Sequence, residues 1–515
     1  MNLLEVIKSA DYEKVNQLFI SNKPSFNQVD DISFANNRLT TTTDYQMQSI
    51  YDYQVDSHAI FDTTIRPDKT IKKDSGQVDT SGNPTLITTL IPVARIGLPL
   101  QKLIVERRVG FMLSDPVKTE AIYMSESDNE KRLEKIVERI QNDNKMDYRN
   151  KEAARRMMSE LECAEIWYFV PNNDPDDVLK NKLTLRVKLV SPMLGDKLYP
   201  LFDETGDMIS FARAYKIREN DKEIEHFDVF TTELEYKYVN RDNLWKLDVV
   251  TDAEGNQSNI NPIPNMVKKI MVIYHTQPRP EWADVQSMIS RLETTSSNHA
   301  DTNDYFGSPI MIVKGTVKGY AQKGETGKIL EVEGDDKSGA DYLSWDSSPE
   351  SVKNEKEDLK NNIFAMSQTP DISFEKLLNV GGQLSGVALR MMFLDAHMAV
   401  KNKEEIFGLG LQRRLNLLKA CIGKVLDTSL ASEAKTLQLK PIIVPFLPAN
   451  ITELIENISL ATTAGVMSKE TGTELNPLIT DSETEVERLK NDSTNDLAGT
   501  NNLSFNNQNN NKNQQ

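Results

Sequence analysis

The sequence predicts an α+β protein, and three observations carry that reading. Between residues 164 and 275, β-branched and aromatic runs alternate with turn residues. Apolar positions at helical spacing recur over 279–306 and 342–368, and the longest helical stretch runs from about Val387 to Leu426. Strands gathered in one stretch and helices in others describe an antiparallel sheet with segregated helices, not an alternating parallel fold.

In chain order, apolar positions at Leu3, Leu4, Ile7, Val15, Leu18 and Phe19 predict an amphipathic helix over 3–20. Residues 22–88 are polar, include "RLTTTTDY", and predict an irregular arm with a few short strands. "ARIGLPLQKLIVERRVGFMLSDPVK" (94–118) reads as a helix up to Val109, stopped by Gly110. Two charged helices follow, from about Asp128 to Asn144 and from about Asp147 to Glu162. In the strand-rich segment, Asp203-Glu204-Thr205-Gly206 between two β runs signals a hairpin.

After two prolines, Trp282, Val285, Ile289 and Leu292 form a narrow stripe, suited to packing beside a neighbouring helix. "SPIMIVKGTVKG" and "GKILEVEG" (308–334) read as short strands, and 342–368 returns as a helix with Ser347 or Ser348 as cap and Pro349 in its first turn. A small strand module therefore protrudes between two helices. Gly408 and Gly410 are expected to weaken or kink the long helix. "KPIIVPFLP" (440–448) suits a sheet edge. Asn450 and Glu453 suggest a capping box before helices at about 451–465 and 482–491. The tail from Thr494 holds 12 Asn or Gln in 22 residues and is expected to be disordered.

Composition narrows the function. In 515 residues, 60 Lys+Arg against 77 Asp+Glu give a net charge of −17. Gripping nucleic acid by counterion release needs a basic face, whereas an acidic wall lets phosphate pass without sticking. Cys163 and Cys421 are far apart, and His58, His226, His275, His299 and His397 lack metal-ligand spacing, so no disulfide framework, metal or cofactor is expected. No signal peptide or membrane-spanning run is read, which predicts a cytosolic place of assembly.

"TPDISFEKLLNVGGQLSGVALRMMF" (369–393) sets a proline and three glycines before a helical run, as a phosphate cradle or a loop that moves would. A phosphate loop needs Lys and Ser/Thr after its last glycine. Gly381 and Gly386 are correctly separated, but Val387 and Ala388 follow; "QKGETGKI" has Gln322 in place of the first glycine and Ile329 after Lys328. Asp176 and Asp177, like Asp335 and Asp336, lie in solvated turns. The chain is not expected to be an enzyme.

From about 50 to 490 the ordered series of segments resembles the tailed-bacteriophage portal protein family. "YDYQVDSHAIF" with 94–118 looks like the start of that family's wing, and "NPIPNMVKKIMVIYHTQPRPEWADVQSMISRLETTSSNHADTNDYFGSPIMIVKG" is similar to its strand, stem helix and start of the clip. "NNIFAMSQTPDISFEKLLNVGGQLSGVALRMMFLDAHMAVKNKEEIFGLGLQRRL" looks like second stem helix, S-x-x-P-D, tunnel loop and long helix, and "VMSKETGTELNPLITDSETEVERLK" resembles the crown.

The resemblance implies a portal fold: an α/β wing, helical stem, small β-containing clip, long kinked helix and helical crown. Its implied divisions are an N-terminal arm 1–49, wing 50–278, stem helix 279–306, clip 307–345, second stem helix 346–368, tunnel loop 369–385, long helix and return strand 386–449, crown 450–493 and tail 494–515. It further implies a dodecameric ring at one capsid vertex of the virion, assembled in the host bacterial cytoplasm. Double-stranded DNA would be packaged and ejected through it. The implied partners are the major capsid protein and scaffold, the terminase large subunit and a head-tail adaptor, with no membrane. Alternatives are another ring-forming head-tail connector or a packaging NTPase.

Carried onto this chain, Lys376, Asn379, Gly381, Gly382, Gln383 and Gly386 would face DNA from the tunnel loop. Lys314, Lys318, Lys323 and Lys328 would offer clip contacts to terminase or adaptor. Stem residues Glu281, Asp284, Glu293, Asp301, Glu350, Glu355, Glu357 and Asp358 would form a repulsive sleeve.

Overall fold

The computed structural model describes residues 3–23, 45–78, 84–172, 182–219, 221–249, 259–306, 310–314, 316–319, 331–333, 339–343, 349–371, 391, 393–446, 451–479, 481–482 and 484–490. The chain divides into two units, 1–370 with 395–446, and 371–394 with 447–515.

In the larger unit the N-terminal stretch is two helices, α1 (Leu3–Lys8) and α2 (Tyr12–Ser21), not the single expected one. Ala10 turns with φ 54°, and the Asp11 side chain caps α2 by accepting from the Lys14 N–H. Residues 45–78 and 84–91 are more regular than the expected irregular arm: α3 (Tyr45–Tyr53) is followed by a two-stranded ribbon, β1 (Lys69–Val78) and β2 (Pro84–Ile91). Helix α4 (Leu100–Met112) runs through Gly110, where a β-carbon would meet nothing within 4 Å, so glycine there neither relieves a clash nor stops the helix. Then come β3 (Lys118–Ile122), α5 (Asp128–Asp143) and α6 (Met146–Glu160). Ser127 and Glu130 build the capping box of α5.

The strand-rich segment forms two antiparallel sheets. Strands β4 (Glu162–Pro171), β5 (Leu183–Val190) and the later β12 (Val272–Thr276) pair in the order β12-β4-β5. Strands β6 (Lys197–Phe202), β7 (Met208–Glu219), β8 (Lys222–Phe230), β9 (Leu234–Arg241) and β10 (Leu244–Leu247) form a meander, with β11 (Ile263–Pro264) against β9. The β6–β7 hairpin turns at the expected Asp203–Gly206, where Asp203 accepts from the N–H groups of Thr205 and Asp207 and Gly206 takes φ 85°.

One face of the meander is covered by α1 and α2, with Ile7, Val15 and Phe19 buried among Leu201, Phe227, Tyr236 and Tyr238. A second cluster joins the two sheets through Ala164, Ile166 and Val190 with Leu198, Phe211 and Phe230.

Helix α7 (Gln286–Phe306) and α8 (Pro349–Met366) flank the strand pairs β13 (Ile310–Lys314) with β16 (Gly339–Leu343) and β14 (Thr316–Gly319) with β15 (Glu331–Glu333). Ser347 and Ser348, the expected caps, lie outside the described residues. Helix α9 (Leu394–Cys421) continues into a π-turn over Ile422–Leu426, and β17 (Gln438–Ile442) pairs with β3 as a two-stranded edge. Within α9 the helix is unbroken at Gly408 and Gly410. A β-carbon on Gly410 would collide with the His275 ring, so this glycine permits a close approach instead of a kink.

In the smaller unit, α10 (Ile451–Thr463) ends at Gly465 (φ 75°), and α11 (Lys469–Glu474), not expected from the sequence, is capped by Ser468. Gly472 brings α11 against α10, where its β-carbon would lie 3.0 Å from Thr462 Oγ1. Residues 484–490 are helical and tied to α11 by Lys490–Glu470 at 3.0 Å. Asn450 and the tail beyond 490 lie outside the described residues.

Candidate functional site

The helix pair α7–α8 and the stretch leading from it toward the glycine-rich segment form the candidate site. Its inner stripe is as expected in composition and packs beside a neighbouring helix, α3. Trp282, Val285, Ile289 and Leu292 are all buried, and Trp282 stacks on Tyr53 of α3 at 5.9 Å between ring centroids. The stripe thus faces the body as well as a neighbouring helix. Between the helices, Arg291 donates to Glu355 at 2.8 Å and Lys356 lies 2.8 Å from His299 Nδ1.

An extended segment runs along α7. The N–H groups of Ala94, Ile96 and Leu98 donate to Asp301 Oδ1 (2.7 Å), Ser297 Oγ (2.9 Å) and Glu293 Oε1 (2.8 Å). Alternate residues of an extended chain advance about 6.6 Å and four helical residues about 6 Å, so the two ladders keep step for three rungs. Gly97 sits between rungs because a β-carbon there would lie 2.6 Å from the Phe61 ring.

This ladder revises the acidic sleeve. Glu293 is buried and holds His58 Nδ1 at 2.6 Å; Asp301 accepts from Arg66 at 2.7 Å; Glu281 pairs with Lys403 at 2.5 Å and Arg108 at 3.5 Å. These three carboxylates are turned into the protein, because each supplies an acceptor to a cation or N–H that packing has removed from water. Asp284, Glu350, Glu357 and Asp358 are exposed. Burial is the largest single influence and opposes charge on His58, but the bond to and charge of Glu293 together with Asp52 outweigh it and raise the imidazole pKa. Its other nitrogen is 2.8 Å from the Asp52 carbonyl, so the doubly protonated ring can donate to both acceptors.

At the end of α8, two adjacent arginines of α4 take hold of main-chain carbonyls: Arg107 donates to Pro370 O (2.5 Å) and Arg108 to Ser367 O (2.7 Å). Ser367, Gln368, Thr369 and Pro370 leave the helix through Gln368 at φ 50°, with Ser367 Oγ and Thr369 Oγ1 2.9 Å apart and both residues buried. Sequence reasoning missed this anchor. The signal was present in "VERRVG", two arginines inside an apolar helix, which burial obliges to find acceptors.

A second arginine cluster lies deeper. Arg414 of α9 forks onto Glu165 of β4, its Nη1 donates to Asn150 at 2.7 Å, and His275 Nε2 meets Glu165 at 2.9 Å. Burial would raise the Glu165 pKa, but Arg414 and His275 hold it down at about 2. Cys163 and Cys421 are buried free thiols whose burial pushes the first well up and the second to about 12, which leaves neither reactive.

Of the residues predicted to contact DNA or partners, Lys314 is exposed at the end of β13 and Lys318 lies on β14. Lys323, Lys328, Lys376, Asn379, Gly381, Gly382, Gln383 and Gly386 lie outside the described residues. Among the described residues, no group of three or more His, Cys, Asp or Glu is placed to hold a metal ion, and no helix is long and apolar enough to cross a membrane.

Residues 90–497 match the family model described as phage portal protein, SPP1 Gp6-like. Among solved structures, the chain is similar to one described as the neck of an empty GTA particle computed with C6 symmetry. The identity is 10% and the TM-score 0.38, over 73% of this chain and 88% of that one. No curated protein matches the chain significantly.

Proposed function

The chain belongs to the SPP1 Gp6-like family of phage portal proteins, and from that premise we propose that it forms the ring-shaped channel at one capsid vertex through which double-stranded DNA is packaged and ejected. The observation that carries the reading is the family match over residues 90–497, a span that takes in both helices of the α7–α8 pair and the glycine-rich segment between α8 and α9. In this reading α7 and α8 are the stem and 307–345 is the clip, where the terminase large subunit and later a head-tail adaptor dock. Residues 50–278 are the wing, 450–493 the crown, and 369–385 the tunnel loop. The role is structural and the chain performs no catalysis.

The anchor supports a division of labour. Arg107 and Arg108 fix where α8 ends, so any displacement of the segment that follows starts from a held point. Gly381, Gly382 and Gly386 accept conformations closed to other residues and supply the freedom beyond that point. Lys376, with Asn379 and Gln383, offers brief contacts to phosphate without the basic surface that would trap DNA. The exposed Asp284 and Glu357 repel it.

The test replaces Gly381 and Gly382 by Val and measures DNase-protected genome per particle together with ring formation. The proposal expects intact rings and at least about ten-fold less packaged DNA. Intact rings that package at the normal rate would overturn the tunnel-loop assignment.

A further inference from the structure

The β1–β2 ribbon has no partner strand among the described residues other than its own two members. A lone two-stranded ribbon is marginally stable in water, and this one carries apolar side chains into solvent. Every residue from Thr85 to Ile91 is exposed, Leu86 to 58% and Leu90 to 65%. Side chains alternate along a strand, so Leu86 and Leu90 fall on one face and Ile87 and Ile91 on the other. An apolar, flat, uncovered strand is an aggregation hazard unless something covers it. The base of the ribbon is firmly set: Arg66 binds Asp301 of α7, and Arg95 binds Asp68 at 2.7 Å. On β1, exposed Lys69 and Lys72 stand opposite Ile91 and Thr88, which makes the ribbon apolar and basic together.

A surface of the opposite character lies on α8. A shallow, open face of this helix presents Glu350, Asn354, Glu355, Asp358 and Asn362 around Leu359. Within one chain the ribbon and the acidic residues Glu350 and Asp358 are both exposed, so neither covers the other. Two different, complementary surfaces on one chain make a head-to-tail contact, and such a contact closes into a ring when the rotation between copies permits.

We propose that the β1–β2 ribbon docks on this face of α8 in a neighbouring copy of this chain, with Leu86 and Leu90 covered beside Leu359 and with Lys72, on the same face of the ribbon, meeting Glu350 and Asp358. This rests on the ring reading above. It adds which surfaces join the copies, and it makes assembly salt-sensitive through the charged part of the contact.

The experiment uses the full chain. Thr88→Cys combined with Asn354→Cys is oxidised in assembled rings; both native cysteines are buried, so a ladder of disulfide-linked oligomers on denaturing gels reports the proposed contact. In parallel, native mass spectrometry follows Lys72→Glu, the combination of Lys72→Glu with Glu350→Lys and Asp358→Lys, and a variant with serine at 86 and 90. The expected results are a cross-linked ladder, roughly ten-fold weaker association for Lys72→Glu, recovery in the charge-swapped combination, and loss of rings for the serine variant with unchanged monomer melting. Rings that form at wild-type concentrations in both the Lys72→Glu and serine variants, or intact rings without cross-links, overturn the proposal while leaving the ring reading standing. If the unmodified chain forms no ring at any concentration or salt, both fail.

Discussion

Two arginine clusters in the larger unit make the same bonds to different ends. Arg414 is forked onto a carboxylate, Glu165, and held further by Asn150, so both charges of the pair are fully engaged in the core. Arg107 and Arg108 hold carbonyls of the main chain where α8 ends. The first cluster locks α9 to the β12-β4-β5 sheet. The second sets the position from which the next segment departs, which is the part of the chain the proposed function asks to move. A buried charge forked onto a carboxylate, as at Arg414, serves the fold; a cation on a backbone carbonyl, as at Arg107, positions a segment; Arg108, which also pairs with Glu281, shares in both.

The comparison is broken most directly by removing each arginine. Arg414→Met leaves Glu165 buried without its guanidinium partner, beside His275 Nε2 alone, and denaturant unfolding is expected to show a loss of about 3–5 kcal/mol. A loss under about 1 kcal/mol would mean the cluster is not fully desolvated. Arg107→Gln is expected to cost only about 1 kcal/mol in unfolding, yet to slow packaging several-fold in an otherwise normal ring. Equal effects on stability and packaging would erase the distinction between the clusters.

Within α9, Gly410→Ala pushes a methyl group into the His275 ring and is expected to cost about 1–3 kcal/mol. Gly408→Ala, with no atom closer than Glu404 Cγ at 3.8 Å, is expected to stabilise by up to about 1 kcal/mol. A destabilising Gly408→Ala would restore the idea that these glycines bend the helix.

The smallest effect is on pH dependence. A raised folded-state pKa at His58 gives stability that is complete below the unfolded value of about 6.5 and is lost as pH rises through the folded one. Asp228 of β8 is raised to about 6 by burial, only partly offset by Lys237 and Arg213. It therefore also favours the folded state as pH falls, over the range from about 6 to about 4. Melting curves of His58→Gln and Asp228→Asn separate the two: the first removes the slope above pH 6.5, the second the slope below pH 6. An unchanged slope in either variant contradicts the corresponding assignment.

Much of this was legible locally. The Trp282–Leu292 stripe and the Asp203–Gly206 hairpin were readable because helical period and turn chemistry act over a few residues; the edge strand expected over 440–448 was read only in part, since it lies at Gln438–Ile442. Glycine was misread at 110 and 410, since its meaning depends on whether a neighbour crowds the missing β-carbon, and His275 is 135 positions away from Gly410 in the chain. The acidic sleeve was half misread for the same reason. Sequence shows that Glu281, Glu293 and Asp301 are charged, but not that Lys403, His58 and Arg66 arrive from elsewhere to claim them. Glu165 in "AEIWYF" was a missed clue, a charge amid strand residues with apolar neighbours that required a distant cation.

The central claim, that this chain is the repeating unit of a channel, is tested most directly by negative-stain electron microscopy of the purified full chain with native mass measured on the same sample. The account predicts rings with a central opening and a mass near twelve chains. A monodisperse monomer or dimer across protein and salt concentrations would contradict it.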